Sequence, residues 1–133
     1  MARRVLDTNI LINHWGDTFG RVSSRQITVR HADQCARKLI SSQGTNSILT
    51  PIYVEFLCGQ RSAHEVTLAK KFLASFEVLD QGRILPVDWE NAKRIAARVP
   101  KDGLRRQMGD CLIRALCDRL KVEVFTFEKR FPH

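Results

Sequence analysis

Eight residues near the N-terminus constrain the rest of the chain most: Val5-Leu6-Asp7-Thr8-Asn9-Ile10-Leu11-Ile12. A lone carboxylate stands in an otherwise apolar run, with Thr8 and Asn9 directly behind it. Burying an unpaired charge costs on the order of several kcal/mol, so the chain must either expose Asp7 or bring positive charge to it. Read as a short strand followed by a helix, the run puts Asp7 at the carboxyl end of a buried parallel strand. Ligand sites of open α/β sheets form there. Asp7 is therefore the first candidate ligand of a divalent-metal site, with later segments supplying further carboxylates.

The 133 residues suit one compact domain, 1–133. No apolar stretch approaches the roughly 18 residues of a spanning helix, so no membrane role is expected. The run from Val5 to Ile12 is interrupted by Asp7 and Asn9 and makes a poor signal peptide, which leaves the cytoplasm as the expected location. Cys35, Cys58, Cys111 and Cys117 form no C-x-x-C pair and read as reduced core thiols. His31 with Cys35, or Cys58 with His64, could begin a zinc site, but neither pair has obvious partners. A net charge of +8 favours a polyanion, either nucleic acid or an anionic membrane surface.

In chain order, Arg3 to Asp7 reads as a strand and Thr8 to about Trp15 as a helix that Thr8 can cap. Gly16 to Arg30 is polar, breaks the periodicity and reads as a loop, with a hairpin over Ser23 to Arg30 as the alternative. Ala32, Cys35, Ala36, Leu39 and Ile40 give His31 to Ser42 a helical stripe, stopped by Gly44. Ser47 to Thr50 is a strand, and Thr50-Pro51 caps and opens the next helix. That helix, Pro51 to Cys58, is apolar nearly all round except for Glu55.

An amphipathic helix follows over Ala63 to Phe76. Strand-like pieces at Glu77 to Asp80 and Ile84 to Val87 come next. Asp88 can cap a helix with the face Trp89, Ala92, Ile95, Ala96 and Val99, ended by Pro100 and the Lys101-Asp102-Gly103 turn. Met108, Cys111, Leu112, Ala115, Leu116 and Leu120 form the buried stripe of the last helix. Asp110 lies in its first turn, where the helix dipole tolerates an acid. Val122 to Thr126 is the last strand. Strands alternating with helices predict an α/β fold with a mainly parallel central sheet of four to five strands flanked by helices.

Four acids then share one logic. Asp7 and Glu128 follow strand ends, Glu55 interrupts an apolar helix, and Asp110 begins a helix that packs on the sheet. Each also has an ordinary reading: a helix cap for Asp7, a buried arginine partner for Glu55, a common first-turn acid for Asp110, solvated surface for Glu128. If the strands are parallel and adjacent, all four converge over one edge, where they repel one another unless protons or cations intervene. Oxygen-only ligands select Mg2+ or Mn2+, and such an ion activates water and steadies a phosphodiester under attack. His14 reads as a helix-surface histidine rather than a general base.

The segments Leu6-Asp7-Thr8-Asn9-Ile10-Leu11, Thr50-Pro51-Ile52-Tyr53-Val54-Glu55-Phe56-Leu57-Cys58-Gly59, Gly109-Asp110-Cys111-Leu112-Ile113 and Thr126-Phe127-Glu128-Lys129-Arg130-Phe131 resemble those of PIN-domain ribonucleases. Within that family, the chain is most similar to the VapC-type toxins of bacterial toxin–antitoxin pairs. The resemblance implies an α/β/α domain and a Mg2+- or Mn2+-dependent endoribonuclease site. It carries the metal role onto Asp7, Glu55 and Asp110. The fourth position is Glu128 where the family more often has aspartate, so it would reach further or act through water. Thr126 matches the hydroxyl often found just before the fourth acid, and Asn9 a polar position behind the ligands. Arg105, Arg106, Arg61 and Arg130 are the basic residues expected to seat RNA phosphates. The resemblance also implies a cognate antitoxin and a homodimer or toxin–antitoxin hetero-oligomer. The rival reading is a non-catalytic PIN-like module that binds RNA or protein. An aspartyl phosphatase would need a second acid where Asn9 stands.

Overall fold

The computed structural model describes residues 3–98, 105–128 and 131–132. Four short strands form one sheet: β1 (Arg4–Leu6), β2 (Ser47–Ile48), β3 (Glu77–Val78) and β4 (Glu123–Phe125). Their order is β3-β2-β1-β4 and every neighbouring pair is parallel, with Val5 opposite Val124 and Leu6 opposite Phe125. Among the described residues, six helices flank the sheet in the expected α/β/α arrangement: α1 (Thr8–Phe19), α2 (Val29–Gln43), α3 (Thr50–Cys58), α4 (Ala63–Leu73), α5 (Pro86–Ala96) and α6 (Met108–Leu120).

The chain steps outward from β1 to β2 to β3, then returns β4 to the other side of β1. Strand order therefore reverses between β1 and β4, and the crevice beyond the carboxyl ends at such a reversal is where ligands bind. Val5, Leu6, Ile48 and Leu49 are sealed from solvent, as parallel strands covered on both faces must be. Phe72 of α4 joins Trp15 of α1 and Phe56 of α3, with ring centroids 5.1 Å away in each case. Because α3 packs on both α1 and α6, the elements that carry Asp7, Glu55 and Asp110 meet. On the other side of α6, the wholly buried Asp88 of α5 accepts from Arg119 Nε at 2.8 Å. This matches its charge and locks α5 to α6.

The region Gly16 to Arg30 departs from its reading as a loop or hairpin. α1 runs on to Phe19, because one glycine weakens a helix without ending it. A 3-10 turn covers Ser24–Gln26 and α2 begins at Val29, capped reciprocally: Thr28 Oγ1 accepts from the His31 N–H and His31 Nδ1 from the Thr28 N–H. Thr50 is not the cap of α3. It lies inside the helix, and its N–H donates to Asp80 Oδ1 at 2.8 Å, so a distant acid caps instead. Residues 84–87 form no strand. Pro86 opens α5, and Asp88, at its third position, accepts from the Leu85 N–H at 2.8 Å.

Met108, expected in the buried stripe, is 76% exposed, since the first residue of α6 has no element over it. Cys58 is exposed, whereas Cys35, Cys111 and Cys117 are buried, and all four are free thiols. The zinc pairings do not form. His31 caps α2, and His64 Nε2 faces the Ser24 and Ile27 carbonyls at 2.9 and 3.1 Å. His14 is half-buried and bonds the Cys35 carbonyl at 3.0 Å, tying α1 to α2. Val99 and the turn after it lie outside the described residues. Among those described, no helix is long and apolar enough to cross a membrane.

Candidate metal centre

β1 ends and α1 begins at Asp7, which has extended backbone (φ −71°, ψ 162°) and acts as the helix N-cap. Only 4% of it is exposed. Its Oδ1 accepts from the Thr8 N–H at 2.8 Å and its Oδ2 from the Thr126 hydroxyl at 2.6 Å. The ordinary reading and the functional one thus hold together, since each carboxylate oxygen keeps a lone pair for another partner.

Thr126 is itself saturated. Its oxygen accepts from Asn9 Nδ2 at 3.1 Å and from the Glu128 N–H at 3.0 Å, while Asn9 Oδ1 accepts from the Phe127 N–H at 3.2 Å. One donor and two acceptor positions are all a hydroxyl has, so Thr126 orients the Asp7 carboxylate and has nothing left for water. The segments after β1 and β4 are stitched together through Thr126 and Asn9.

Glu55 is held differently. α3 leaves it open to the cleft, although neighbouring atoms crowd its carboxyl. Loss of solvent, then repulsion from Asp7 and from Asp110, pushes its pKa up to about 7. The nearby Thr8 hydroxyl draws it down, and Thr8 Oγ1 is buried without a well-formed hydrogen bond among the described residues. Behind Glu55 stands Gly109, in the first turn of α6. A Cβ there would lie 2.8 Å from Glu55 Oε1 and 3.3 Å from its Cδ. Only a glycine lets the carboxyl lie against α6.

Asp7, Glu55, Asp110 and Glu128 all line one cleft of about 510 Å³, with Thr8, Asn9 and Gly109 among its walls. Neither Asp7 nor Glu55 forms an ion pair among the described residues, so the arginine partner considered for Glu55 is not there. The predicted basic residues fall elsewhere. Arg105 and Arg106 line a neighbouring groove, Arg61 is exposed outside the cleft, and Arg130 lies outside the described residues. Gly109 was visible in the sequence only as part of a motif, and Thr8 only as a possible cap. Neither the glycine's contact nor the threonine's buried hydroxyl has a one-dimensional signature.

The residues present suit a hard divalent cation. The donors are all oxygen, Glu55 is pressed by like charge, and the buried Thr8 hydroxyl has no well-formed hydrogen bond among the described residues. Among the described residues, no three His, Cys, Asp or Glu side chains already close on a single point. The acids share the cleft at wider separation, and Mg2+ commonly keeps several waters rather than a full protein cage. A family model described as PIN domain matches residues 4–133. No curated protein and no solved structure matches the chain.

Proposed function

The chain belongs to the PIN domain family, whose fold is generally that of nucleases, and from that premise we propose that it is a Mg2+- or Mn2+-dependent endoribonuclease. The observation that carries this reading is one cleft that receives Asp7, Glu55 and Asp110 from three separate segments. In this reading the three carboxylates hold the ion, and Glu128 reaches it directly or through water. When bound, the ion supplies Lewis-acid charge that acidifies water and steadies a phosphodiester under attack.

The rest falls to the chain's own groups. Thr126 and the Thr8 N–H aim the Asp7 carboxylate. Glu55, whose pKa is pushed up to about 7, would have to be ionised to serve as a ligand. The test is cleavage of RNA with Mn2+ or Mg2+, with EDTA, and by Asp7→Asn. Loss of cleavage in the last two is expected, and undiminished cleavage in EDTA would reject the metal mechanism.

We further read the protein as the cytoplasmic toxin of a toxin–antitoxin pair, a homodimer or hetero-oligomer with its antitoxin, on its resemblance to VapC-type toxins. Induced expression should arrest growth, Asp7→Asn should not, and co-expression of the genomic neighbour should relieve the arrest. A non-catalytic binding module is the second reading, favoured by acids that have not closed into a ligand set. Such a module would show no Mn2+-dependent rise in melting temperature, whereas an occupied site should show several degrees.

A further inference from the structure

Four carboxylates make the cleft a poor place for a polyanion to land, and the cations that could offset them lie next door. Beside the cleft, between α5 and the start of α6, is a groove of about 350 Å³. Lys93, Arg105 and Arg106 line it, and no carboxylate does among the described residues. Its apolar wall includes Trp89, 45% exposed, and Met108, 76% exposed. Gln107 and Met108 line both groove and cleft, so the two are continuous. Among the described residues, Lys93 pairs with Glu90 alone, in a pair exposed on both sides, and such pairs contribute little.

A single wet apolar residue needs no explanation. A half-exposed indole among three cations, at the rim of an acidic cleft, matches the way single-stranded nucleic acid is held without sequence preference: an aromatic ring for a base, basic side chains for the phosphates around it. An apolar protein helix would bring nothing to answer those cations. We propose that this groove is a nucleobase subsite for single-stranded RNA, with Trp89 as the stacking surface and Lys93, Arg105 and Arg106 meeting the flanking phosphates. The proposal deepens the nuclease reading and rests on it for the identity of the ligand.

The test is binding of a short fluorescein-labelled single-stranded RNA of mixed sequence, followed by anisotropy in EDTA so that no cleavage intervenes. Trp89→Ala should weaken binding about tenfold, within the span measured for one base on one aromatic ring. Trp89→Phe should recover most of it. Arg105→Ala should weaken binding and flatten its salt dependence. Indole emission should be quenched by RNA in the wild type and in Arg105→Ala at higher RNA, but not in Trp89→Ala. RNA affinity unchanged in Trp89→Ala would overturn the proposal. So would a change of oligomeric state in Trp89→Ala with RNA affinity intact, which would make the groove a protein contact. The two readings fail separately. Trp89-dependent binding without cleavage in Mn2+ sinks the nuclease and keeps the groove. Mn2+-dependent cleavage and RNA binding both untouched by Trp89→Ala do the reverse.

Discussion

Asp7 and Glu55 face the same cleft and are held in opposite ways. Asp7 is nearly sealed, and each of its oxygens is pinned, one by the Thr8 N–H and one by the Thr126 hydroxyl. Glu55 stands open on α3, pressed by the charges of Asp7 and Asp110, against a glycine with no side chain to stop it. One acid is held on both oxygens and the other is open to the cleft. The lesson is that a site of like charges need not be rigid throughout. In the proposed metal site, the pinned carboxylate would fix the position of an ion and the open one would respond to its charge.

If that division is right, Asp7→Asn should have the largest consequence, a drop in RNA cleavage of at least about a hundredfold, the scale of losing one main electrostatic stabiliser. Retained cleavage would mean that the fixed acid does no chemistry. Thr126→Val comes next. It deletes the hydroxyl that aims Asp7, and supporting partners of this kind are worth roughly 10- to 100-fold in metal affinity or activity. Mn2+ titration should show that loss, and Thr126→Ser should restore it.

Gly109→Ala acts on the open acid. Its methyl would displace Glu55, weakening Mn2+ binding about tenfold on the same scale. The melting temperature should hold or rise, because alanine suits a helix better than glycine by up to about 1 kcal/mol. Unchanged Mn2+ affinity would show that the close approach is incidental.

The smallest effect is on the pH dependence of the metal-free protein. The Glu55 carboxyl holds its proton more tightly folded, with a pKa of about 7, than at its ordinary value of 4.5. Its contribution to stability is fully present below about pH 4.5 and is lost as pH rises through about 7. Glu55→Gln should lack that decline in thermal melts. Mn2+ affinity of the wild type should rise over the same range, since the ligand must deprotonate. A wild-type melting profile that parallels Glu55→Gln throughout would contradict the shift.

The parallel α/β architecture was legible because strand and helix periods alternate along the chain. Asp7 stood out because charge inside an apolar run must be answered. Where reading failed, the cause was tertiary. Met108 has the spacing of a core residue but lies at a helix start with nothing above it. Thr50 has the chemistry of a cap, yet Asp80 takes that part from thirty residues away. Gly16 looks like a break and is simply a glycine inside α1. Of the site, residue types were visible, but the Gly109 contact and the buried Thr8 hydroxyl exist only once α1, α3 and α6 meet.

The return of β4 to the flank of β1 has a consequence for synthesis. Thr126, which grips the Asp7 carboxylate, is 119 residues downstream of it. A nascent polypeptide still lacking β4 presents Asp7 with one oxygen ungripped, at the unfinished edge of a partial sheet. The grip on Asp7 is thus completed only when a strand far downstream in the chain pairs with β1.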